Sequence, residues 1–143
     1  MKKKILIMGL PGSGKTFLAQ SLLKYFKAKW LNNDEIRKKY NDWDFSLEGR
    51  QRQSQRMREL SDEFIKNDNN VVADFVCPTD LTRKDYDADY IIWVHTIKEG
   101  RFADTNKMFE NPTSCDYHVK EWFTDTHQQL SEVIKNYMEK QNV

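Results

Sequence analysis

The stretch Gly9-Leu10-Pro11-Gly12-Ser13-Gly14-Lys15-Thr16 has the spacing G-x-x-x-x-G-K-[S/T], which is typical of a phosphate-binding loop. A short apolar run precedes it at residues 4–8, and apolar residues at helical spacing follow it at 17–26. Strand, glycine-rich loop and helix is the order in which such loops occur. The sequence therefore predicts that main-chain N–H groups surround a phosphate at the positive end of a helix. The alternative is a plain glycine turn between a strand and a helix.

Two side chains of this stretch carry the expected chemistry. Lys15 is placed to reach the β- and γ-phosphates of ATP, and the Thr16 hydroxyl is placed to hold Mg²⁺. We therefore expect ATP to contact residues 9–16 and the neighbouring Phe17, with Lys15 as a catalytic residue. The expected cofactors are ATP and Mg²⁺.

Length and composition restrict the class of protein. The 143 residues are expected to form one domain, 1–143, and their net charge of +1 gives no strong attraction to nucleic acid. No apolar run approaches the roughly 20 residues of a membrane helix or has the form of a signal peptide. Cys77 and Cys115 stand far apart, as free thiols of a reducing compartment do. We expect a cytoplasmic protein without a membrane partner; a nucleic-acid partner is disfavoured but left open.

The rest of the pattern alternates strands and helices. Apolar and β-branched runs predict further strands at 29–31, 71–76, 90–95 and 117–119, and helical spacing predicts helices near 34–40, 46–66, 81–89 and 125–140. Helical spacing also predicts Val133 in the core and Arg83 at the surface. This order predicts a P-loop NTPase-type α/β fold with a parallel sheet of about five strands flanked by helices.

The polar segment 97–114 is long for a connection inside a compact domain. Such segments are usually functional, so we expect a lid over the nucleotide. Arg101 and Lys107 are expected to approach the phosphates of ATP from this lid. The alternative is a disordered surface loop.

Two carboxylates stand at the ends of predicted strands, and the carboxyl ends of parallel strands are where ligands bind. Asp34 is predicted to face the transferred phosphate, where it can take a proton from a hydroxyl or hold Mg²⁺ through water. The alternative is an N-cap of the next helix. Asp74 ends the third strand as an acid that orders Mg²⁺ does. Its alternative is a structural role with hydrogen bonds to neighbouring backbone.

Two arginines are candidates for binding a charged acceptor. Arg37 lies three residues after Asp34 on the same helix face, which suits an acceptor with both a hydroxyl and a fixed negative charge. The apolar stripe of the helix at 46–66 extends backwards onto Gln53 and Arg50. Both are therefore predicted to face inward, and Arg50 to enter a cleft and pair with an anionic ligand.

Together these motifs resemble the adenylylsulfate kinase family, whose members transfer the γ-phosphoryl group of ATP to the 3′-hydroxyl of adenylylsulfate. The resembling stretches are residues 9–16, Leu31-Asn32-Asn33-Asp34-Glu35-Ile36-Arg37, Phe45-Ser46 with Arg50 and Gln53, Phe75-Val76-Cys77-Pro78, and residues 104–109. The resemblance implies that Arg37, Arg50 and Phe75 contact the acceptor, with Phe75 stacked on its adenine. It also places Asp34, Phe45, Gln53 and Val76 in the acceptor site, and it implies a homodimer as a partner state.

The chain departs from the family at several of these positions. Asn32 and Asn33 replace an Asp and a Gly, Gln53 replaces an Asn, Asp74 stands where the family has a small residue, and the lid is shorter. These changes affect the acceptor more than phosphoryl transfer, so other functions stay open. Asp34 and Arg37 also resemble the Asp-x-x-Arg of polynucleotide 5′-hydroxyl kinases. Another small-molecule kinase and a non-catalytic nucleotide-binding regulator are the remaining alternatives.

Overall fold

A parallel sheet forms the centre of the structure, a computed structural model that describes residues 2–122 and 125–141. Its strands are β1 (Lys4–Met8), β2 (Lys29–Asn32), β3 (Val71–Asp74), β4 (Tyr90–Val94) and β5 (Tyr117–Val119). They lie in the order β2-β3-β1-β4-β5, and each neighbouring pair is parallel. The predicted fold class is confirmed.

Helices cover both faces of this sheet. They are α1 (Lys15–Leu22), α2 (Asn33–Tyr40), α3 (Leu47–Lys66), α4 (Asp80–Tyr86), α5 (Ala103–Met108) and α6 (Thr126–Gln141). Successive side chains of a strand point to opposite faces, so β1 contributes Ile5 and Ile7 to one core and Leu6 and Met8 to the other. All five residues of β1 are buried, as expected for a central parallel strand with helices on both sides. Within the described ranges, no helix is long and apolar enough to span a membrane.

The register of the strands brings polar groups to one edge. Asp74 of β3 lies opposite Ile7 of β1 on one side and opposite Asn32 of β2 on the other. The 9–16 loop leaves β1 at the same edge and leads into α1. The phosphate-binding stretch and the acidic end of β3 are therefore neighbours in the fold.

Two side chains differ from the positions that helical spacing predicts. Val133, predicted in the core, is 41% exposed on α6. Arg83, predicted at the surface, is buried: its guanidinium donates to the carbonyls of Cys77 (3.1 Å), Pro78 (3.2 Å) and Glu110 (2.5 Å). An arginine that satisfies several main-chain carbonyls can be buried at tolerable cost, which residue spacing alone does not reveal.

Candidate functional site

A cavity of about 650 Å³ lies over the carboxyl edge of β2, β3 and β1. Its walls come from the 9–16 loop, the start of α1 and α2, the loop before α3, and the segment that carries α5. The lining residues are Pro11, Gly12, Gly14, Lys15, Thr16, Phe17, Asn32, Asn33, Asp34, Phe45, Arg50, Asp74, Val76, Arg101, Phe102, Asp104 and Thr105. Residues from five separate parts of the sequence thus meet around one space.

The 9–16 loop has a conformation that requires glycine at two positions. Gly9 has a φ of 154°, and a Cβ there would overlap the carbonyl oxygen of Val94. Gly14 has a φ of 103°, and a Cβ there would lie 2.7 Å from Cζ2 of Trp122. Residues with a side chain rarely adopt such φ values, so these glycines are needed for the turn and for the close packing beneath it.

Two side chains from other segments hold the same loop. The carbonyl of Ser13 accepts hydrogen bonds from the Thr96 hydroxyl at 2.8 Å and from the Trp122 indole at 3.3 Å. Thr96 follows β4, and Trp122 follows β5. Trp122 also contacts Phe17 edge to face, with ring centroids 6.2 Å apart. The loop is therefore held by residues that follow β4 and β5, the two strands on one side of β1.

Lys15 is the buried cation of the loop. Its side chain is 9% exposed, and Nζ donates a hydrogen bond of 3.0 Å to the carbonyl of Leu10. Burial lowers the pKa of Lys15 to about 8, against the opposing effect of the Asp74 and Asp34 carboxylates. A cation held with little hydration interacts more strongly with an anion than one in water does.

Asp74 is the buried acid of the site, with 2% of its surface exposed. Oδ2 accepts a hydrogen bond of 2.5 Å from the Trp30 indole. Oδ1 lies 3.2 Å from the amide nitrogen of Asn32 and 3.5 Å from the hydroxyl of Thr16. Burial raises the pKa of Asp74 to about 6, and the hydrogen bonds from Trp30 and Asn32 limit this rise. The carboxylate therefore bonds to side chains, whereas the structural alternative assigned it to backbone.

The Thr16 hydroxyl and the Asp74 carboxylate form a set of oxygen donors at the edge of the phosphate-binding loop. Hard oxygen ligands are what Mg²⁺ prefers, and Mg²⁺ commonly uses one or two protein ligands together with water and substrate phosphates. The residues described include no cluster of three or more His, Cys, Asp or Glu that could hold a metal. The donor set thus fits Mg²⁺ held jointly with a phosphate and does not fit an all-protein metal cage.

Asp34 lies in the first turn of α2 and lines the cavity. The N-cap of α2 is Asn32, whose side chain accepts a hydrogen bond of 3.2 Å from the Glu35 backbone N–H. The alternative role of Asp34 as the N-cap is therefore wrong. The Asp34 carboxylate instead accepts a hydrogen bond of 3.3 Å from the side-chain amide of Asn33.

Arg50 enters the cavity, as the helical stripe predicts. It is 6% exposed, its Nη2 donates to the Thr105 hydroxyl at 2.9 Å, and its guanidinium lies 4.9 Å from the centroid of the Phe45 ring. Burial lowers the pKa of Arg50 to about 10, and the nearby Arg37 adds to this shift. Nε is buried without a hydrogen-bond partner among the described residues. Such an environment is suited to an anionic ligand.

Arg37 does not line the cavity. It is fully buried, and Nη1 donates to the carbonyls of Asp42 at 2.9 Å and Asp44 at 3.2 Å. Its guanidinium lies 4.6 Å from the Phe45 centroid. The structure therefore places Arg37 beneath the loop before α3, which it supports, and outside the cavity walls. Its contact with the acceptor stays a prediction.

Six other predicted site residues also lie outside the cavity walls. Gly9, Leu10 and Ser13 belong to the 9–16 loop itself, and the other three are Phe75, Gln53 and Lys107. Phe75, predicted to stack on an adenine, is 2% exposed and packs edge to face on Tyr86. Gln53 is 1% exposed and bonds to Asn33, and Lys107 is exposed on α5. The ring of Phe75 thus belongs to the core here, and its stacking on an adenine stays a prediction. The aromatic rings on the cavity wall are those of Phe17, Phe45 and Phe102.

Several residues of the site were missed by sequence reasoning. Phe102 and Thr105 line the cavity because the segment after β4 folds back over the edge of the sheet, and no local pattern indicates this. Trp30 gives a weak signal, since a partly buried indole N–H in a strand needs an acceptor nearby. That acceptor is Asp74, which is 44 residues away in the chain.

The segment 97–114 is fixed at its far end. Besides the Arg83 contact, the backbone N–H of Glu110 donates to the Pro78 carbonyl at 2.7 Å. Within the segment, the Asn106 side chain bonds both the N–H of Gly100 at 2.8 Å and its carbonyl at 2.9 Å. The part that carries Arg101 and Phe102 lies between these bonded residues and lines the cavity.

Comparison with known proteins agrees with this fold. A sequence model described as the AAA domain matches residues 5–88. The unliganded sugar kinase of Janibacter sp. HTCC2649 is 13% identical, with a TM-score of 0.72 over 97% of this chain and 95% of that one. The APS kinase of Mycobacterium tuberculosis in complex with AMPPNP and APS is 18% identical, with a TM-score of 0.71 over 96% and 98%. The shikimate kinase of Acinetobacter baumannii in complex with shikimate is 14% identical, with a TM-score of 0.60 over 100% and 96%.

A search of curated proteins gives no match. At these identities the solved structures show a shared fold, so the resemblance to adenylylsulfate kinases is confirmed as a likeness of fold. The match to the family model spans more than half of the 143 residues. The chain is therefore a member of the AAA domain family with the fold of a P-loop kinase.

Proposed function

We propose that the protein is an ATP-dependent kinase that transfers the γ-phosphoryl group to the 3′-hydroxyl of adenylylsulfate. One observation carries the proposal: the buried cation Lys15, the carboxylate Asp34 and the buried guanidinium Arg50 line the same cavity. Such an arrangement has a group for the phosphates of ATP, a group for the acceptor hydroxyl and a group for an anionic part of the acceptor. These are the requirements for positioning and charge stabilisation in phosphoryl transfer.

The phosphates of ATP are assigned to the main-chain N–H groups of the 9–16 loop, at the start of α1. Lys15 would neutralise charge that builds up on the transferred group, in an environment where burial strengthens the interaction. Arg101 lines the same cavity and can approach the phosphates from the segment after β4. Thr16 and Asp74 would hold Mg²⁺, which supplies positive charge against the phosphate oxygens when it is bound.

The acceptor is assigned to the part of the cavity between α2 and α3. Asp34 would take the proton of the attacking hydroxyl, because it is the carboxylate of α2 that faces this space. Arg50 would pair with the anionic group of the acceptor through atoms not used by Thr105. The ring of Phe45, about half exposed, offers a flat apolar contact between these polar groups.

The wider proposal is a single kinase domain over 1–143 with a lid at 97–114. Phe102 and Arg101 support it, because both line the cavity from this segment. Lys107 is exposed and would reach phosphates only if α5 moved on closure.

A sugar kinase and a shikimate kinase share the fold, so the fold alone does not decide the acceptor. Adenylylsulfate is preferred because the stretches at 31–37, 45–53 and 75–78 resemble those of adenylylsulfate kinases. A polynucleotide acceptor is less well supported. It would need free arginines along a strand path, but Arg52 and Arg56 are paired with Asp42, and Arg58 is paired with Asp62. Arg37, which would hold a phosphate, is fully buried, and its Nη1 is engaged by loop carbonyls.

The test is a transfer assay with ATP labelled at the γ-phosphate. The acceptors are adenylylsulfate, shikimate, nucleosides and 5′-hydroxyl oligonucleotides, with Lys15→Ala as the inactive control. We expect labelled 3′-phosphoadenylylsulfate to form with the wild-type protein. Transfer to another acceptor but not to adenylylsulfate would overturn the assignment of adenylylsulfate as the acceptor. Binding of ATP without transfer to any acceptor would favour a non-catalytic nucleotide-binding role.

A further inference from the structure

A chain of side-chain hydrogen bonds runs from the surface of α3 to Asp34. Arg56 Nη2 pairs with Asp42 at 3.1 Å, and its Nη1 donates to Gln53 Oε1 at 2.9 Å. Gln53 Nε2 donates to Asn33 Oδ1 at 3.2 Å. Asn33 Nδ2 then donates to Asp34 Oδ1 at 3.3 Å. Two amides thus connect an ion pair to the carboxylate on the cavity wall.

The two ends of this chain determine its direction. A guanidinium can only donate, so Gln53 must present its oxygen to Arg56 and its nitrogen to Asn33. Asn33 must then present its oxygen to Gln53 and its nitrogen to Asp34. An ionised carboxylate can only accept, so the last bond agrees with the first. Every amide in the chain has a single orientation that satisfies both of its neighbours.

The remote end of the chain is well fixed. Asp42 also accepts a hydrogen bond of 2.8 Å from Nε of Arg52. The hydrogen bonds from Arg52 and Arg56 hold the pKa of Asp42 well below its usual range. Arg56 lies 4.4 Å from the centroid of the Tyr40 ring, so its guanidinium is held by an aromatic face as well. Gln53, in the middle, is 1% exposed, and its nitrogen also lies 3.5 Å from the Asn33 carbonyl.

We propose that Gln53 and Asn33 are positioning residues that orient the carboxylate of Asp34 towards the acceptor hydroxyl. This inference rests on the proposed function, in which Asp34 takes the proton of that hydroxyl. Gln53 acts only through Asn33, because it lies outside the cavity walls while Asn33 lines them. Its role therefore differs from the acceptor contact that the family resemblance implies for this position.

The decisive variant is Gln53→Glu. One oxygen of the new carboxylate can still accept from Arg56, but the other cannot donate to Asn33. Asn33 would have to turn its own amide nitrogen towards α3 and its oxygen towards Asp34, where two acceptors repel each other. Because small misplacements of a reacting group are costly, we expect kcat to fall by about tenfold to a hundredfold. The KM for ATP should stay within about twofold, since the 9–16 loop is untouched.

The matched control is Gln55→Glu, which makes the same charge change two residues away on the exposed side of α3. It should leave kcat unchanged. Equal losses in both variants, or no loss in Gln53→Glu, would overturn the proposal.

A second variant tests the proposal independently in case Gln53→Glu does not fold. Asn33→Ala removes the last amide from a half-buried position and should lower kcat by a similar factor. In the double variant, Gln53→Glu should add little to Asn33→Ala, because the link between them is already gone. Additive losses, or a wild-type kcat in Asn33→Ala, would overturn the proposal.

A measurement without turnover separates this proposal from the proposed function. The side-chain NH₂ resonances of Asn33 can be assigned by their loss in Asn33→Ala. We expect them to shift in Gln53→Glu and in Asp34→Asn, and to stay in place in Gln55→Glu. Unmoved resonances in Gln53→Glu would overturn the chain of bonds even in an active enzyme. Shifted resonances in a protein that transfers no phosphate would uphold it and reject the kinase proposal.

Discussion

The guanidinium of Arg50 donates a hydrogen bond of 2.9 Å to the hydroxyl of Thr105 and so connects α3 with α5 inside the cavity. The two residues are 55 positions apart in the chain. A buried guanidinium with one such neutral partner retains donors for an anion, and its burial makes pairing with that anion favourable.

Replacement of Arg50 by Ala should weaken acceptor binding and spare ATP. A hydrogen bond to a charged group is worth about 1.5–3 kcal/mol, so the KM for the acceptor should rise roughly 10- to 100-fold. Steady-state kinetics with each substrate varied in turn measures both values. Arg58→Ala, an exposed arginine of the same helix, is the control. A loss of thermal stability with unchanged acceptor KM would indicate that Arg50 serves only to support the fold.

Replacement of Lys15 by Ala should abolish most phosphoryl transfer. A preorganised charge that stabilises the transition state contributes about 10²–10³ in kcat, and we expect a loss of at least this size. The labelled-ATP assay measures it, with the exposed Lys24→Ala as control. Wild-type turnover in Lys15→Ala would contradict the assignment of the 9–16 loop to catalysis.

Replacement of Asp34 by Asn should lower turnover far more than nucleotide affinity. General base catalysis contributes about 10²–10⁴ in rate, and Asp34 is not part of the 9–16 loop. Turnover and the Kd for a non-hydrolysable ATP analogue are the two measurements. Glu35→Gln gives the same charge change on the exposed neighbouring residue. Equal losses of turnover and affinity would argue against a role for Asp34 in proton transfer.

The free energy of unfolding should depend on pH because of the titration of Asp74. Burial raises its pKa from 3.8 to about 6, so the folded state holds a proton that the unfolded chain releases between these pH values. The contribution of Asp74 to stability is therefore full below about pH 4 and is lost as the pH rises through about 6. A pKa difference of this size corresponds to about 3 kcal/mol.

Urea denaturation of the wild type and Asp74→Asn at a series of pH values tests this expectation. The free energy of unfolding of the wild type, relative to the variant, should fall by about 3 kcal/mol from about pH 3 to about pH 7. Asp68→Asn, at an exposed turn, is the control. A difference that does not change with pH would show that Asp74 titrates alike in the folded and unfolded states.

The fold was predictable because its signals are local and repeated. The apolar run of β1, the glycine spacing and the helix after it occur within 26 residues, and the strand–helix alternation follows from periodicity. The inward direction of Arg50 was predictable for the same reason, since it lies on an extension of the stripe that contains Met57. These arguments need only the geometry of one element at a time.

The positions of Arg37 and Phe75 could not be predicted because they depend on contacts between elements. Arg37 is drawn beneath the loop before α3 by the carbonyls of Asp42 and Asp44. Phe75 follows the end of β3, and its ring is directed into the core by packing on Tyr86. A resemblance of short motifs conveys which residues are present, but it does not convey where loops of different length place them.

The position of Trp122 makes it a natural optical reporter. Its indole donates to the Ser13 carbonyl and lies against Gly14, in contact with the loop that we assign to the phosphates. A nucleotide bound there would change the polarity and quenching experienced by that ring, so the intrinsic emission of the unlabelled protein should follow nucleotide titration. Replacement of Trp122 by Phe would remove this component of the spectrum and leave the emission of the other three tryptophans as the background.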